Sequence, residues 1–225
     1  MEKIKNFDFA SFDCIEKLSH KYLSMHDRNN VCTDSFDIDV FVECTLDVQI
    51  LFTNNLNIDE DYAINILRLP SYYSTVIKKG LDNSIIIDSV IAETDEAMYR
   101  WVLANAAANS VLYNEPPYNK VFLDYANDDV IHLNNSYCFD LRCGDSYENS
   151  LKHNANLLAA AFLMPLSSIM KFFEERGSLF AETGTLVCEI ADYFCVPNNV
   201  AAYRLLNLFD RYGVVLQGRK KADFS

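Results

Sequence analysis

Apolar residues recur at helical spacing near the start of the chain and then give way to short runs of branched residues. The pattern predicts helices over residues 7–25 and 38–45 and strands over residues 47–53, 72–77 and 84–88. The strand segments are bounded by Asn and Asp, as is typical of strand ends. The second and third strands are expected to pair, because residues 79–83 between them have turn chemistry.

From residue 94 onward the pattern is mainly helical. Thr94 is placed to cap a central helix that runs without Gly or Pro to Asn114, ahead of Pro116 and Pro117. A second long helix is capped by Ser146 and stops at Pro165. The remaining predicted elements are short strands at residues 121–123 and 129–132, helices over 166–176, 184–194 and 197–211, and a terminal strand over 214–216.

The composition is that of a folded protein, since 50% of the 225 residues are hydrophobic and 23% are charged. The expected fold class is α+β, with a small, mainly antiparallel sheet beside a helical bundle. No linker divides the chain. We predict a core with N-terminal helices and the sheet over residues 1–165, and a C-terminal helical subdomain packed on it over residues 166–225.

The charge balance bears on the partner and the location. The formal net charge of −13 disfavours nucleic acid and anionic membranes as partners. Seven scattered cysteines, an odd number, fit a reducing compartment better than a set of disulfides. The chain begins without an apolar stretch behind a basic start, so we expect no secretory signal and a cytoplasmic protein.

Two amides interrupt the central helix, which is otherwise apolar nearly all round. Asn105 and Asn109 are four residues apart, so they lie on one face, one turn above the other. A buried carboxamide needs hydrogen-bond partners. We therefore expect the two amides to bond to each other and to Asn154 or Asn156 of the second long helix.

That second helix carries a motif that resembles a known family. Its block Ala155-Asn156-x-x-Ala159-Ala160-x-x-Leu163-Met164-Pro165 is similar to the Ala-Asn-x-Phe-Ala-Ala-x-Leu-Leu-Met-Pro signature of the ImmA/IrrE metallopeptidases. In that family the signature follows an Arg-Phe-Thr-Leu-Ala-His-Glu-Leu-Gly-His helix, and Arg100-Trp101-Val102-Leu103-Ala104 is similar and in register. The segment that begins at Leu186 also resembles the family's C-terminal helices. The resemblance implies a gluzincin-like metallopeptidase core.

The chain departs from the family at the metal site itself. Asn105-Ala106-Ala107-Ala108-Asn109 stands where the family has His-Glu-x-x-His, so both histidine ligands are replaced and Ala106 occupies the position of the general base. The family's third ligand, a glutamate, corresponds here to Asn154 or Lys152. A neutral carboxamide is a poor ligand for zinc. The resemblance thus implies that zinc and catalysis have been lost, with no cofactor expected.

The expected function is that of a catalytically inactive pseudo-metallopeptidase. By resemblance, its partner is a protein or peptide, with a helix-turn-helix transcriptional repressor of a bacterium or phage as the candidate. The alternative is an active metallo-endopeptidase with a non-standard metal site. The residues expected to line the former cleft are Asn105, Asn109, His153, Asn154, Asn156 and Trp101.

Two histidines, two cysteines and the C-terminal helices could suggest metal or DNA binding, but we expect neither. His132 and His153 lack the ligand spacing of a rebuilt metal site, and Cys138 and Cys143 lack a second pair. The two C-terminal helices have the spacing of a helix-turn-helix unit. They carry three acidic residues against two basic ones, which argues against DNA binding.

Overall fold

The computed structural model describes residues 12–26, 36–53, 74–79, 82–115, 133–134, 147–176 and 183–212. Helix α1 spans Phe12–His26, as predicted, and residues 7–11 of that prediction lie outside the described ranges. Helix α2, Ile38–Val40, begins at Asp37, whose carboxylate accepts from two backbone N–H groups. It continues as a π-helical turn over Phe41–Thr45, so the predicted helix over residues 38–45 is confirmed, with a wider last turn.

The sheet lies next in the chain and contains both strand directions. Its strands are β1 (Gln49–Thr53), β2 (Ser74–Lys79), β3 (Asp82–Asp88) and β4 (Leu133–Asn134), in the order β1-β3-β2-β4. Strands β1 and β3 are parallel, and β2 is antiparallel to both of its neighbours.

The prediction of a mainly antiparallel sheet is therefore wrong for the pair that carries the buried isoleucines. Ile85 and Ile87 of β3 are fully buried, and β1 lies parallel beside them, with Ile50 opposite Ile85 and Phe52 opposite Ile87. A period of two tells which face of a strand is buried, and it carries no information on strand direction. Strand β2 lies between β1 and β3 in the chain, so β3 runs back against β2 and returns to the direction of β1.

The central helix is α4, Glu96–Asn114, and a short helix α3, Ser89–Thr94, precedes it. Thr94 was predicted to cap α4, and this is wrong: its hydroxyl donates to the Val90 carbonyl within α3. The cap is Asp95, whose carboxylate accepts from the N–H of Met98 at 2.9 Å. Asp95 has an extended backbone, which breaks the helix for one residue and gives its side chain access to the first turn of α4.

Four helices form the C-terminal part of the described chain and agree with the predicted ones within a residue or two. They are α5 (Tyr147–Leu163), α6 (Leu166–Arg176), α7 (Thr183–Phe194) and α8 (Asn198–Tyr212). Within the described ranges no single helix is long and apolar enough to cross a membrane; only His153–Leu163 and Leu166–Glu175 pass by length and composition together, as a pair bent by 46°. The predicted Ser146 cap and the strands at residues 121–123, 129–132 and 214–216 lie outside the described residues.

The core is organised around α4 and α5. These two helices make the most extensive helix–helix contact of the described fold, and α5 also packs against α1 and α8. One hydrophobic cluster extends from Ile15 of α1 to Leu208 of α8, on both sides of Pro165. The division into domains at residue 165 stays a prediction.

Candidate functional site

A chain of three amides connects α4 to α5 at the position that the sequence singled out. The side-chain N–H of Asn105 donates to the Asn156 carboxamide oxygen at 2.7 Å. The side-chain N–H of Asn109 donates to the backbone carbonyl of Asn105 at 3.0 Å and lies 3.3 Å from its carboxamide oxygen. Asn105 is therefore both a donor and an acceptor in the chain, and it joins the two long helices directly.

Alanines on both helices allow this close approach. Ala106, Ala107 and Ala108 of α4 are fully buried, as are Ala159 and Ala160 of α5. Side chains of one carbon let two helix backbones come near enough for short carboxamides to meet. Ala106, which the resemblance aligns with the family's general base, is thus in the packed interior, with no exposed surface of its own.

Asn154 lies two residues before Asn156 on α5, and it is not part of the chain of three amides. It is 2% exposed, and its carboxamide oxygen has no hydrogen-bond partner among the described residues. A buried hydrogen-bond acceptor that is left without a donor lowers the stability of a fold by about 1–3 kcal/mol. The resemblance left two candidates, Asn154 and Lys152, for the third ligand position. Asn154 is buried on α5, and the side chain of Lys152 is not among the described ones.

His153 faces the C-terminal helices. Its Nδ1 lies 3.4 Å from the hydroxyl of Tyr203 on α8, and the two rings meet edge to face with centroids 6.3 Å apart. Burial lowers the pKa of His153 below its ordinary value of 6.5, because the charged imidazolium is less well solvated there. His153 therefore contacts α8 from α5, and its burial favours the neutral imidazole over the charged form.

The six residues expected to line a cleft differ in their access to solvent. Four are nearly buried: Trp101 and Asn154 are each 2% exposed, Asn109 is 7% and Asn105 is 9%. His153 and Asn156 are half-buried and so reach the surface.

The donor set does not fit zinc. Both ends of the Asn105 carboxamide are already occupied: its N–H group donates to Asn156, and its oxygen lies next to the N–H group of Asn109. Carboxamides are weak zinc ligands in any case. In the part of the chain that the structure describes, no group of three or more His, Cys, Asp or Glu side chains is arranged to hold a metal ion. No step of chemistry through a metal follows from these residues.

An ion pair that the sequence did not indicate fixes α8 next to α1. Arg204 is 1% exposed, forms a two-point contact with the Glu16 carboxylate, and donates through Nε to the carbonyl of Met164 at 3.0 Å. Near the end of α8, Arg211 pairs with Asp13. Its bonds lower the pKa of Asp13. Both basic residues of α7 and α8 are thus engaged by α1 carboxylates, which leaves neither as a simple phosphate contact.

No protein-family model matches this chain, and no curated protein matches it either.

Proposed function

We propose that this protein is a catalytically inactive ImmA/IrrE-type pseudo-metallopeptidase, with a gluzincin-like core, that acts as a protein-binding or regulatory module. The observation that carries the proposal is the hydrogen bond between Asn105 and Asn156. The family signature assigns these residues to two helices that meet at the metal site, and here the same two positions are bonded to each other. Under the proposed alignment, this amide contact takes the place of a metal ligand of the family.

The amides also account for the loss of catalysis in chemical terms. An active member of the family needs two imidazoles, a carboxylate ligand and a general base. This chain offers Asn105, Asn109, Asn154 and Ala106 at those positions. None of these four side chains removes a proton from water near neutral pH.

The partner proposed is a helix-turn-helix repressor, bound at the side of the site where His153 and Asn156 reach the surface. The test uses a purified repressor from the host, titrated with this protein by biolayer interferometry, and mass spectrometry of the repressor after overnight incubation. Binding with an intact repressor supports the proposal. Specific cleavage of the repressor contradicts the loss of catalysis, and an absence of binding contradicts the partner.

The alternative of an active metallo-endopeptidase is favoured by one observation: within the described ranges, the buried oxygen of Asn154 has no hydrogen-bond partner. An oxygen of this kind is an available, though weak, ligand. Metal analysis of protein purified without chelator separates the two readings. One equivalent of tightly held zinc or another transition metal, lost in an Asn154→Ala variant, would establish the alternative.

A further inference from the structure

Strand β1 leaves one edge of the sheet open within the described strands. It pairs with β3 on one side only, and the order β1-β3-β2-β4 places it at the end of the sheet. Its five residues, Gln-Ile-Leu-Phe-Thr, contain no charge and no proline. Natural proteins usually protect an edge with Lys, Pro, a bulge or a covering element, because its unpaired N–H and C=O groups bind other strands. This edge lacks the sequence devices.

Both faces of β1 expose apolar side chains at that edge. Phe52 points to the same side as Ile87, its partner in the register, yet it is 53% exposed. Its ring lies tilted against that of Tyr99, with centroids 6.1 Å apart. Leu51 points to the opposite side and is 37% exposed. A strand added beside β1 places alternate side chains against each of them.

The surroundings of this edge are acidic. The hydroxyl of Tyr99 donates to the Asp39 carboxylate. Burial, that hydrogen bond and the charges of Asp39, Glu43 and Asp37 raise the pKa of Tyr99. Asp37 and Glu43 flank Asp39 in the chain, at the start of α2 and in the π-helical turn, and both are exposed. The basic residues of the sheet, at positions 78 and 79, belong to β2, on the far side of β3.

We propose that the outer edge of β1 binds an extended segment of a partner protein that alternates apolar and basic residues. Its backbone extends the sheet and its apolar side chains cover Leu51 on one face. Its Lys or Arg residues alternate to the other face, where they lie against Phe52 and near the carboxylates of α2 and the π-helical turn. A second copy of this chain fits less well, because it brings the same acidic cluster and a net charge of −13 to the contact. The proposal uses none of the residues of the amide chain, so it does not rest on the proposed function.

The test measures the binding of a defined peptide by fluorescence anisotropy. The probe is an N-terminally labelled Lys-Val-Lys-Val-Lys-Val-Lys amide, compared with the same peptide carrying Glu for Lys and with one carrying Pro for the central Val. We expect the basic peptide to bind more tightly than both others. Hydrogen exchange followed by mass spectrometry should slow over residues 49–53 when it binds, because the edge amides gain partners.

Variants locate the contact. Phe52→Lys and Leu51→Lys should each weaken binding about tenfold, since each removes apolar cover and adds a like charge. Glu43→Gln should weaken it about twofold to fivefold, as an exposed charge pair does. Leu206→Lys is the matched control, because Leu206 is 55% exposed on α8 and should leave binding unchanged. Asn156→Ala should also leave it unchanged, which separates this edge from the amide chain.

Three outcomes would overturn the proposal. The first is equal binding of the basic and acidic peptides, or no binding of either. The second is an equal effect of Leu206→Lys and Phe52→Lys, or unchanged exchange over residues 49–53, since both indicate adsorption without an added strand. The third is a dimer of the unmodified protein in sedimentation velocity that Phe52→Lys dissociates, which assigns the edge to a second copy.

Discussion

Replacing Asn105 by Ala removes the middle member of the amide chain, and we expect the free energy of unfolding to fall by about 1 kcal/mol. The side chain loses its bond to Asn156 at 2.7 Å and its longer contact with Asn109 at 3.3 Å. A hydrogen bond contributes about 1 kcal/mol net, and the longer contact counts for less. Ala returns about 0.5 kcal/mol through its higher helix propensity.

Asn207→Ala is the matched control for this change. Asn207 is half-buried on α8, and its side chain donates at 2.7 Å to the carbonyl of Tyr203, four residues earlier in the same helix. Its substitution loses one local bond and gains the same helix propensity, so the two effects nearly cancel, to within about 0.5 kcal/mol. The difference between the two variants isolates the contact between helices.

The assay is urea unfolding followed by circular dichroism, for Asn105→Ala, Asn156→Ala and the double variant. A double-mutant cycle should give a coupling energy of about 1 kcal/mol, because the two residues share one hydrogen bond. In a chain of this size each kcal/mol corresponds to roughly 2–4 °C in Tm. A coupling below about 0.3 kcal/mol, or an Asn105 variant as stable as the Asn207 variant, would refute the amide contact.

Three further predictions concern the ion pair, the histidine and an introduced zinc site. Glu16→Gln should destabilise the fold by about 3 kcal/mol in the same unfolding assay, because Arg204 stays buried without its counter-charge; a loss below about 1 kcal/mol contradicts this. Because the pKa of His153 is lowered in the folded state, its contribution to stability is complete above pH 6.5 and is lost as pH falls from 6.5 through the folded-state pKa. The slope of Tm against pH in that window should flatten in His153→Gln. An unchanged slope would assign the pH dependence to another group. A triple variant that introduces ligands should bind zinc with micromolar affinity or better by isothermal titration, as two imidazoles and a carboxylate on facing helices suffice for a site. It carries the substitutions Asn105→His, Asn109→His and Lys152→Glu, because position 152 lies one turn before Asn156 on the same face of α5. Failure of this variant and of the version with Asn154→Glu to bind zinc, in folded protein, means that neither position faces the α4 pair.

The helix boundaries followed from the sequence wherever a residue with special backbone chemistry marks them. Pro165 separates α5 from α6, and Pro197 precedes α8, so these limits were predicted within a residue or two. The start of α4 was missed, because Thr94 and Asp95 are both good capping residues and only the extended backbone of the second one decides between them.

Contacts between distant parts of the chain were harder to predict from the sequence. The spacing of Asn105 and Asn109 predicted that they share a face, but it left Asn154 and Asn156 equally eligible as the facing residue. The two positions on α5 differ by about 200° around the helix, so the choice depends on how α5 is rotated against α4. The Glu16–Arg204 pair is separated by 188 residues and has no local signal at all.

The amides of α4 and α5 lie between helix faces that consist largely of one small residue, alanine. Two helix faces built largely of alanine pack closely, but the same small side chain recurs along each face, so a shift along the helix axis costs little in packing. A buried polar contact with one geometric solution removes that freedom, as single buried amides do in coiled coils. The bond from Asn105 to Asn156 is satisfied in only one register. In a metallopeptidase the metal performs this alignment; under the proposed function the amides do so without it, and the surface that includes His153 and Asn156 keeps a defined shape for a partner.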